Sequence, residues 1–160
     1  MGTYRTAQVC INGHMIVSDL EQSPERSSKF CGKCGAETIS ACPKCGERIR
    51  GIYFARGALT VASVPVRSFC HECGNAYPWT EAKLSAAREM ADELDELSDE
   101  EKEQLKGSFD DLVRDTPRTE VAATRFKKLM AKVGKEAAKS MRDILVDIAS
   151  ETAKKAIFGG

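Results

Sequence analysis

Seven cysteines constrain this chain more than any other feature of its 160 residues. All lie between Cys10 and Cys73, and six of them stand in CxxC pairs within FCGKCG, ACPKCG and FCHECG. The seventh, Cys10, belongs to CINGH, where three residues separate it from His14. An odd count at such short paired spacings argues against a disulfide framework and for metal thiolates. Grouped in order, Cys10/His14, Cys31/Cys34, Cys42/Cys45 and Cys70/Cys73 supply eight ligands. Eight ligands fill two tetrahedral zinc sites with none left over, and without His14 one site is a ligand short. The local sequences agree. Gly35, Gly46 and Gly74 follow the three CxxC pairs, where a metal knuckle often requires positive φ. Asn12-Gly13 suits a tight turn that returns His14 to Cys10.

Sequential pairing is the simplest reading. Cys10, His14, Cys31 and Cys34 form one site, Cys42, Cys45, Cys70 and Cys73 the other, and each half closes alone. A cross-brace, with the first pair joined to the third, is the rival and would raise a ligase-like role in protein modification. Both sites are closed, and closed sites are usually structural. The all-cysteine site suits iron as well as zinc. A thioredoxin-like redox motif calls for one CxxC in a βαβ setting. A zinc deaminase calls for HxE and an open coordination position, and neither histidine here is followed two residues later by Glu. His71, inside CHEC, reads as an exposed bystander.

Composition changes near Pro78. Residues 1–80 carry nine basic and six acidic side chains and are rich in Gly, Cys and β-formers. Residues 81–160 carry fifteen basic and eighteen acidic ones and are rich in Ala, Glu, Lys and Leu. The expected division is a ribbon domain at 1–78 and a helical region at 79–160, joined at AYPWT. Aromatics are sparse, with one Trp, three Tyr and six Phe, so a metal staple would help the first half fold. Strands are predicted at 48–55 and 58–69, forming a hairpin between the second and third CxxC pairs. Trp79 is expected where the ribbon meets the first helix.

Helices follow. The first is predicted at about 81–96 with a stripe of Leu84, Ala87, Ala91 and Leu94. The second starts at Ser98, where SDEE writes a capping box to Glu101, and buries Leu105, Phe109, Leu112 and Val113. The third starts at Thr116-Pro117, carries Ala122, Phe126, Leu129, Met130 and Val133, and ends at Gly134 as a C′ residue. The fourth spans about 135–157 with Met141, Ile144, Leu145, Ile148 and Thr152 on one face.

Net charge is zero, so no global field advertises a partner. Local charge is segregated: residues 89–115 hold twelve acids and three bases, and residues 116–142 eight bases and two acids. An antiparallel helix pair with complementary faces accounts for this, and a basic helix at 118–142 offered to nucleic acid is the sharper alternative. RIRGIYFAR places Arg48, Arg50 and Arg56 beside Tyr53 and Phe54, a pattern that either stacks bases or makes one packed and one solvated ribbon face. Seven thiolates and two zinc ions would bring the ribbon half near neutrality, which weakens nonspecific phosphate binding. No run of about eighteen apolar residues exists and no secretory leader is evident, so a cytoplasmic protein without a membrane role is expected. The closing FGG follows an Ala/Lys-rich helix and reads as a frayed end.

VCINGHMI…KFCGKCG resembles the C-x-NGH…KFC-xx-CG pattern of bacterial double zinc ribbons. The wider set, TYRTAQVCINGH, CPKCG, CHECG, AYPWT and TPRTEVAATRFKKL, resembles a family of small bacterial proteins catalogued as a domain of unknown function. That resemblance spans nearly the whole chain, implies the same eight ligands, and implies no activity. The expectation is therefore an α+β protein: a double zinc ribbon of short β-hairpins around two structural Zn²⁺, then three or four amphipathic helices. Its expected role is a non-enzymatic adaptor for a protein partner, with self-association through the helices open and nucleic-acid binding as the alternative. No nucleophile–base arrangement, phosphate loop or open metal site points to catalysis.

Overall fold

In the computed structural model, which describes residues 2–58 and 63–158, the chain divides into two compact units, Met1–Glu81 and Ala82–Gly160. The first unit holds short strands. β1 (Thr3–Thr6) pairs antiparallel with β5 (Arg50–Phe54), in register Thr3↔Phe54, Tyr4↔Tyr53 and Thr6↔Arg50, with a bulge between Tyr4 and Thr6. β2 (Gln8–Cys10) is the middle of a second sheet, flanked by β3 (Met15–Val17) and β4 (Thr38–Ile39). The turn from β2 to β3 is CINGH itself, and Gly13 sits there at φ 92°.

Among the described residues the expected hairpin at 48–55 and 58–69 is not formed. Its first strand exists, but β5 pairs with β1 at the far end of the chain. Of the second stretch, residues 59–62 lie outside the described residues, and 63–69 run irregularly up to a single bridge, Phe69↔Ala76. Pro65 lies in the middle of that stretch and has no N–H to give a ladder.

The halves of the ribbon also do not close alone. Ala7, Val9, Ile49, Tyr77 and Trp79 make one buried cluster with Cys42 and Cys70. Ala7 and Val9 come from the segment before the first metal pair, and Tyr77 and Trp79 from the segment after the last. Tyr77 and Trp79 stack with centroids 4.6 Å apart, and the indole Nε1 donates to the Arg67 carbonyl at 2.8 Å. Buried Gln8 is satisfied: its amide donates to the Ser28 carbonyl and the Thr38 hydroxyl and accepts from the Ser28 amide. Thr6 donates its hydroxyl and amide to Glu21, which also meets Arg48. Burial works against the Glu21 carboxylate, but the bonds from Thr6 and the nearby Arg48 hold it down at about 2.

The second unit is helical, and its leading helix α1 (Pro78–Asp92) begins within the first. Pro78 takes the first helical position, so the helix starts three residues earlier than expected. Thr80 lies inside it and donates its hydroxyl to the Ser68 carbonyl. The stripe Leu84, Ala87, Ala91 and Leu94 is buried. Lys102 donates to the Asp92 carbonyl and so ends α1 four residues before the expected limit. α2 (Asp99–Val113) opens with the expected capping box, reciprocal between Ser98 and Glu101.

α3 (Thr119–Met130) starts two residues later than expected. Thr119 is buried, donates its hydroxyl to the Arg114 carbonyl and accepts from the Thr116 amide, which keeps Pro117 in a turn. Gly134 is not a C′ residue: at φ −62° and ψ 152° it is the N-cap of α4 (Lys135–Val146). The single fourth helix is two. Ser150 gives its amide to the Leu112 carbonyl and accepts from the Ala153 amide on its hydroxyl. That N-cap-like turn starts α5 (Glu151–Phe158).

Leu105, Phe109, Leu112, Phe126, Met141, Leu145 and Ile148 are almost fully buried. Arg118–Asp111 and Lys132–Glu101 join the basic and acidic segments, as a complementary helix pair requires. Gly159 and Gly160 of the terminal FGG lie outside the described residues.

Candidate metal centres

Each CxxC folds as the same knuckle. The amide of the first cysteine donates to the carbonyl five positions on (Ala36, Glu47 or Asn75), at 2.8, 2.8 and 2.9 Å. Its own carbonyl accepts from the glycine amide after the second cysteine, at 2.8, 2.8 and 2.9 Å. Those glycines take φ of 74°, 81° and 74°, a region that side-chain-bearing residues rarely enter. CINGH is a fourth version: the Cys10 amide donates to the His14 carbonyl at 3.0 Å, and the Cys10 carbonyl accepts from the Gly13 amide at 2.9 Å. Isolated bridges Phe30↔Glu37, Ala41↔Arg48 and Phe69↔Ala76 flank the three CxxC turns.

The four turns converge in two groups. Cys10, His14, Cys31 and Cys34 bring their ligand atoms within 4.8 Å of one another, as do Cys42, Cys45, Cys70 and Cys73. This is the sequential arrangement; the cross-brace does not occur. Zinc–sulfur bonds of about 2.3 Å at tetrahedral angles set sulfurs about 3.8 Å apart, and sulfur about 3.5 Å from an imidazole nitrogen. Cys10 and Cys34 sulfurs lie 3.8 Å apart, Cys42 and Cys73 3.8 Å, and Cys45 and Cys70 3.7 Å. His14 presents Nδ1, at 3.4 Å from the Cys10 sulfur and 3.5 Å from that of Cys31. The donors therefore fit an ion of zinc's size and geometry, with no inward position left open.

Polar hydrogens aim at the sulfurs. The amides of His14, Lys33 and Glu72 point at Cys10, Cys31 and Cys70, at 3.3–3.4 Å. The side-chain amides of Asn12 and Asn75 donate to Cys34 and Cys73, each at 3.3 Å. Without metal, the Asn12 side chain and the Ala36 amide hold the Cys34 thiol down at about 6. The Asn75 side chain and amide do the same for Cys73, also at about 6. Cys45 goes the other way. The Glu47 amide favours its thiolate, but burial and the thiols of Cys70, Cys73 and Cys42 push it up to about 12. Burial likewise raises Cys10. Each cage thus mixes thiolates with thiols, and a divalent cation replaces the remaining protons.

Asn12 was legible only as a turn residue, and Asn75 carried no expectation. An asparagine directly beside a ligand turn is the signal for this second role. His71 is exposed and outside both cages. It meets Glu47 and Glu72 on the outer side of the second and third knuckles. Of the basic residues expected to touch nucleic acid, Arg48 bonds Thr6 and Glu21, Arg50 lies over the Tyr4 ring, and Arg56 is exposed in the turn after β5. The basic segment 118–142 is divided between α3 and α4. Among the described residues no helix is long and apolar enough to cross a membrane.

No curated protein and no solved structure matches the chain. A family model described as an uncharacterized protein conserved in bacteria, DUF2321, matches residues 3–157, and the chain belongs to that bacterial family.

Proposed function

We propose that the protein is a non-enzymatic, cytoplasmic interaction module in which two structural zinc ions shape a ribbon that docks a protein partner. The observation behind this is the closed donor set. Four donors surround each centre, so a bound zinc has no position left for water or substrate, and its contribution is to folding. Sequential pairing removes the basis for the ligase-like role that a cross-brace would suggest. Thiolate ligands of this kind call for a reducing compartment. The test is metal content by mass spectrometry on the untagged protein, with native capture before and after nuclease treatment. Two zinc ions per chain and a partner that survives nuclease are expected. His14→Ala should reduce the zinc to one. A stoichiometry that stays at two in that variant, or a partner list that vanishes with nuclease, overturns the reading.

A further inference from the structure

At the β1–β5 ribbon three arginines lie over aromatic rings, Arg5 over Phe54 and both Arg50 and Arg67 over Tyr4. Tyr4 and Tyr53 pair across the strands and meet edge to face, with centroids 5.0 Å apart. The Arg50 guanidinium lies 4.4 Å from the centre of the Tyr4 ring, and that of Arg67 lies 5.7 Å from it. Arg5 also has the Asp19 carboxylate at 3.9 Å, and Arg48 is matched by Glu21 at 3.1 Å. Arg50 and Arg67 have no acid partner among the described residues. Arg67 is held in place through its backbone, because its carbonyl accepts from the buried Trp79 indole.

Beside these rings runs a groove of about 260 Å³ whose walls include Tyr4, Tyr53, Val64, Pro65 and Arg67. Tyr53 is 54 % exposed there, while the large apolar residues of this unit's buried cluster are covered. A guanidinium lying on a tyrosine keeps its N–H groups directed outward, where they suit a phosphate oxygen. A half-exposed tyrosine offers a flat surface to any base, since every base has a π-face.

We infer that this face binds single-stranded nucleic acid, with a base stacked on Tyr53 and the backbone phosphates on Arg50 and Arg67. The ligand class follows from the combination. Unmatched positive charge selects an anion, an exposed ring selects a planar group, and a duplex hides its base faces inside its own stack. The site goes beyond the protein-docking role, and it rests on the reading that the zinc cages are scaffolding, because they hold the segments from which Tyr53 and Arg67 project.

The test uses the full-length zinc-loaded chain and fluorescence anisotropy with a labelled oligothymidine of about ten nucleotides, a uridine counterpart, and a duplex of equal length. Single strands should bind better than the duplex, and affinity should fall with salt at a log–log slope of about −1.4, as expected for two phosphate contacts. Tyr53→Ala should weaken binding about tenfold with the slope unchanged. Arg50→Gln should make the slope shallower by about 0.7. Val121→Ala, on an exposed part of α3, should alter neither. Zinc content is read on every sample, so loss of the scaffold is distinguished from loss of the site. No binding at low salt by a chain holding two zinc ions overturns the inference. So does equal binding of duplex, or an affinity indifferent to Tyr53→Ala. A protein partner lost on Tyr53→Ala, with no oligonucleotide bound, would assign the face to protein instead.

Discussion

The two units of this chain solve the same problem with different materials. The helical unit buries large side chains such as Phe109, Phe126, Leu105 and Met141, and stabilises itself by removing apolar surface from water. The ribbon unit offers far less. Its cluster has Tyr77 and Trp79 as its large members, and two of its other positions are the cysteines Cys42 and Cys70. There the candidate metal donors are also core residues. Order in the first unit should therefore follow metal occupancy, and order in the second should follow packing.

The strongest way to break that contrast is a chelator. Removing zinc should abolish amide protection in Met1–Glu81, since structural zinc contributes about 10–16 kcal/mol in small zinc-folded domains. The helical ellipticity at 222 nm should largely survive. Hydrogen exchange read by mass spectrometry decides it, and a ribbon still protected after metal loss would erase the distinction. The reciprocal experiment is Phe109→Ala, expected to cost about 3–5 kcal/mol by leaving a void in the helical core. Urea melts should show that loss while zinc content stays at two; a fall in zinc would mean that the units are not separable in this way.

Proton bookkeeping sharpens the contrast. Cys34 and Cys73 are held at about 6, below their ordinary value of 9.0. Above pH 6 they are already thiolates and give up no proton to incoming zinc; below pH 6 each must release one. Calorimetry in buffers of different ionisation enthalpy should find about two more protons released per chain as pH falls through that value, with affinity falling in step. A release that does not change across pH 6 would contradict it. Asn12→Ala and Asn75→Ala each remove one hydrogen bond to a sulfur. They should weaken zinc about tenfold in competition with a chromophoric chelator, and leave the urea midpoint of the helical unit alone.

Two glycines give the last contrast, and Gly107 the smallest effect. A Cβ at Gly51 would collide with the Ser18 carbonyl, whereas one at Gly107 meets nothing within 4 Å. Gly107→Ala should stabilise the helical unit by about 0.5–1 kcal/mol, and Gly51→Ala should destabilise the ribbon. Thermal melts that reverse these signs would show that close backbone approach does not govern the ribbon.

What was legible in the sequence divides along the same line. The two groups of candidate donors and their sequential order were readable because metal chemistry imposes a count and a spacing, and both survive without knowledge of tertiary contacts. The helix start at Ser98 was readable because its cap is local. The partner of β5 was not, because a strand announces its own existence but not which distant strand it will meet; here the answer lay at Thr3–Thr6. The break between α4 and α5 was hidden for a related reason. Ser150 continues a helical pattern, and the Leu112 carbonyl that takes its amide belongs to another helix. Gly134 shows a third limit, since glycine suits both the end of one helix and the start of the next.

The pairing of β1 with β5 also orders events during synthesis. All four ligands of the first cage have left the ribosome once Cys34 is out, so zinc can be captured early. Thr3–Thr6 must wait for Arg50–Phe54, and Ala7 and Val9 must wait longer still, for Tyr77 and Trp79. In that interval the nascent chain carries a complete donor set beside an unpaired strand edge and an uncovered apolar patch. For this chain, the dangerous part of being made falls after its first donor set is complete.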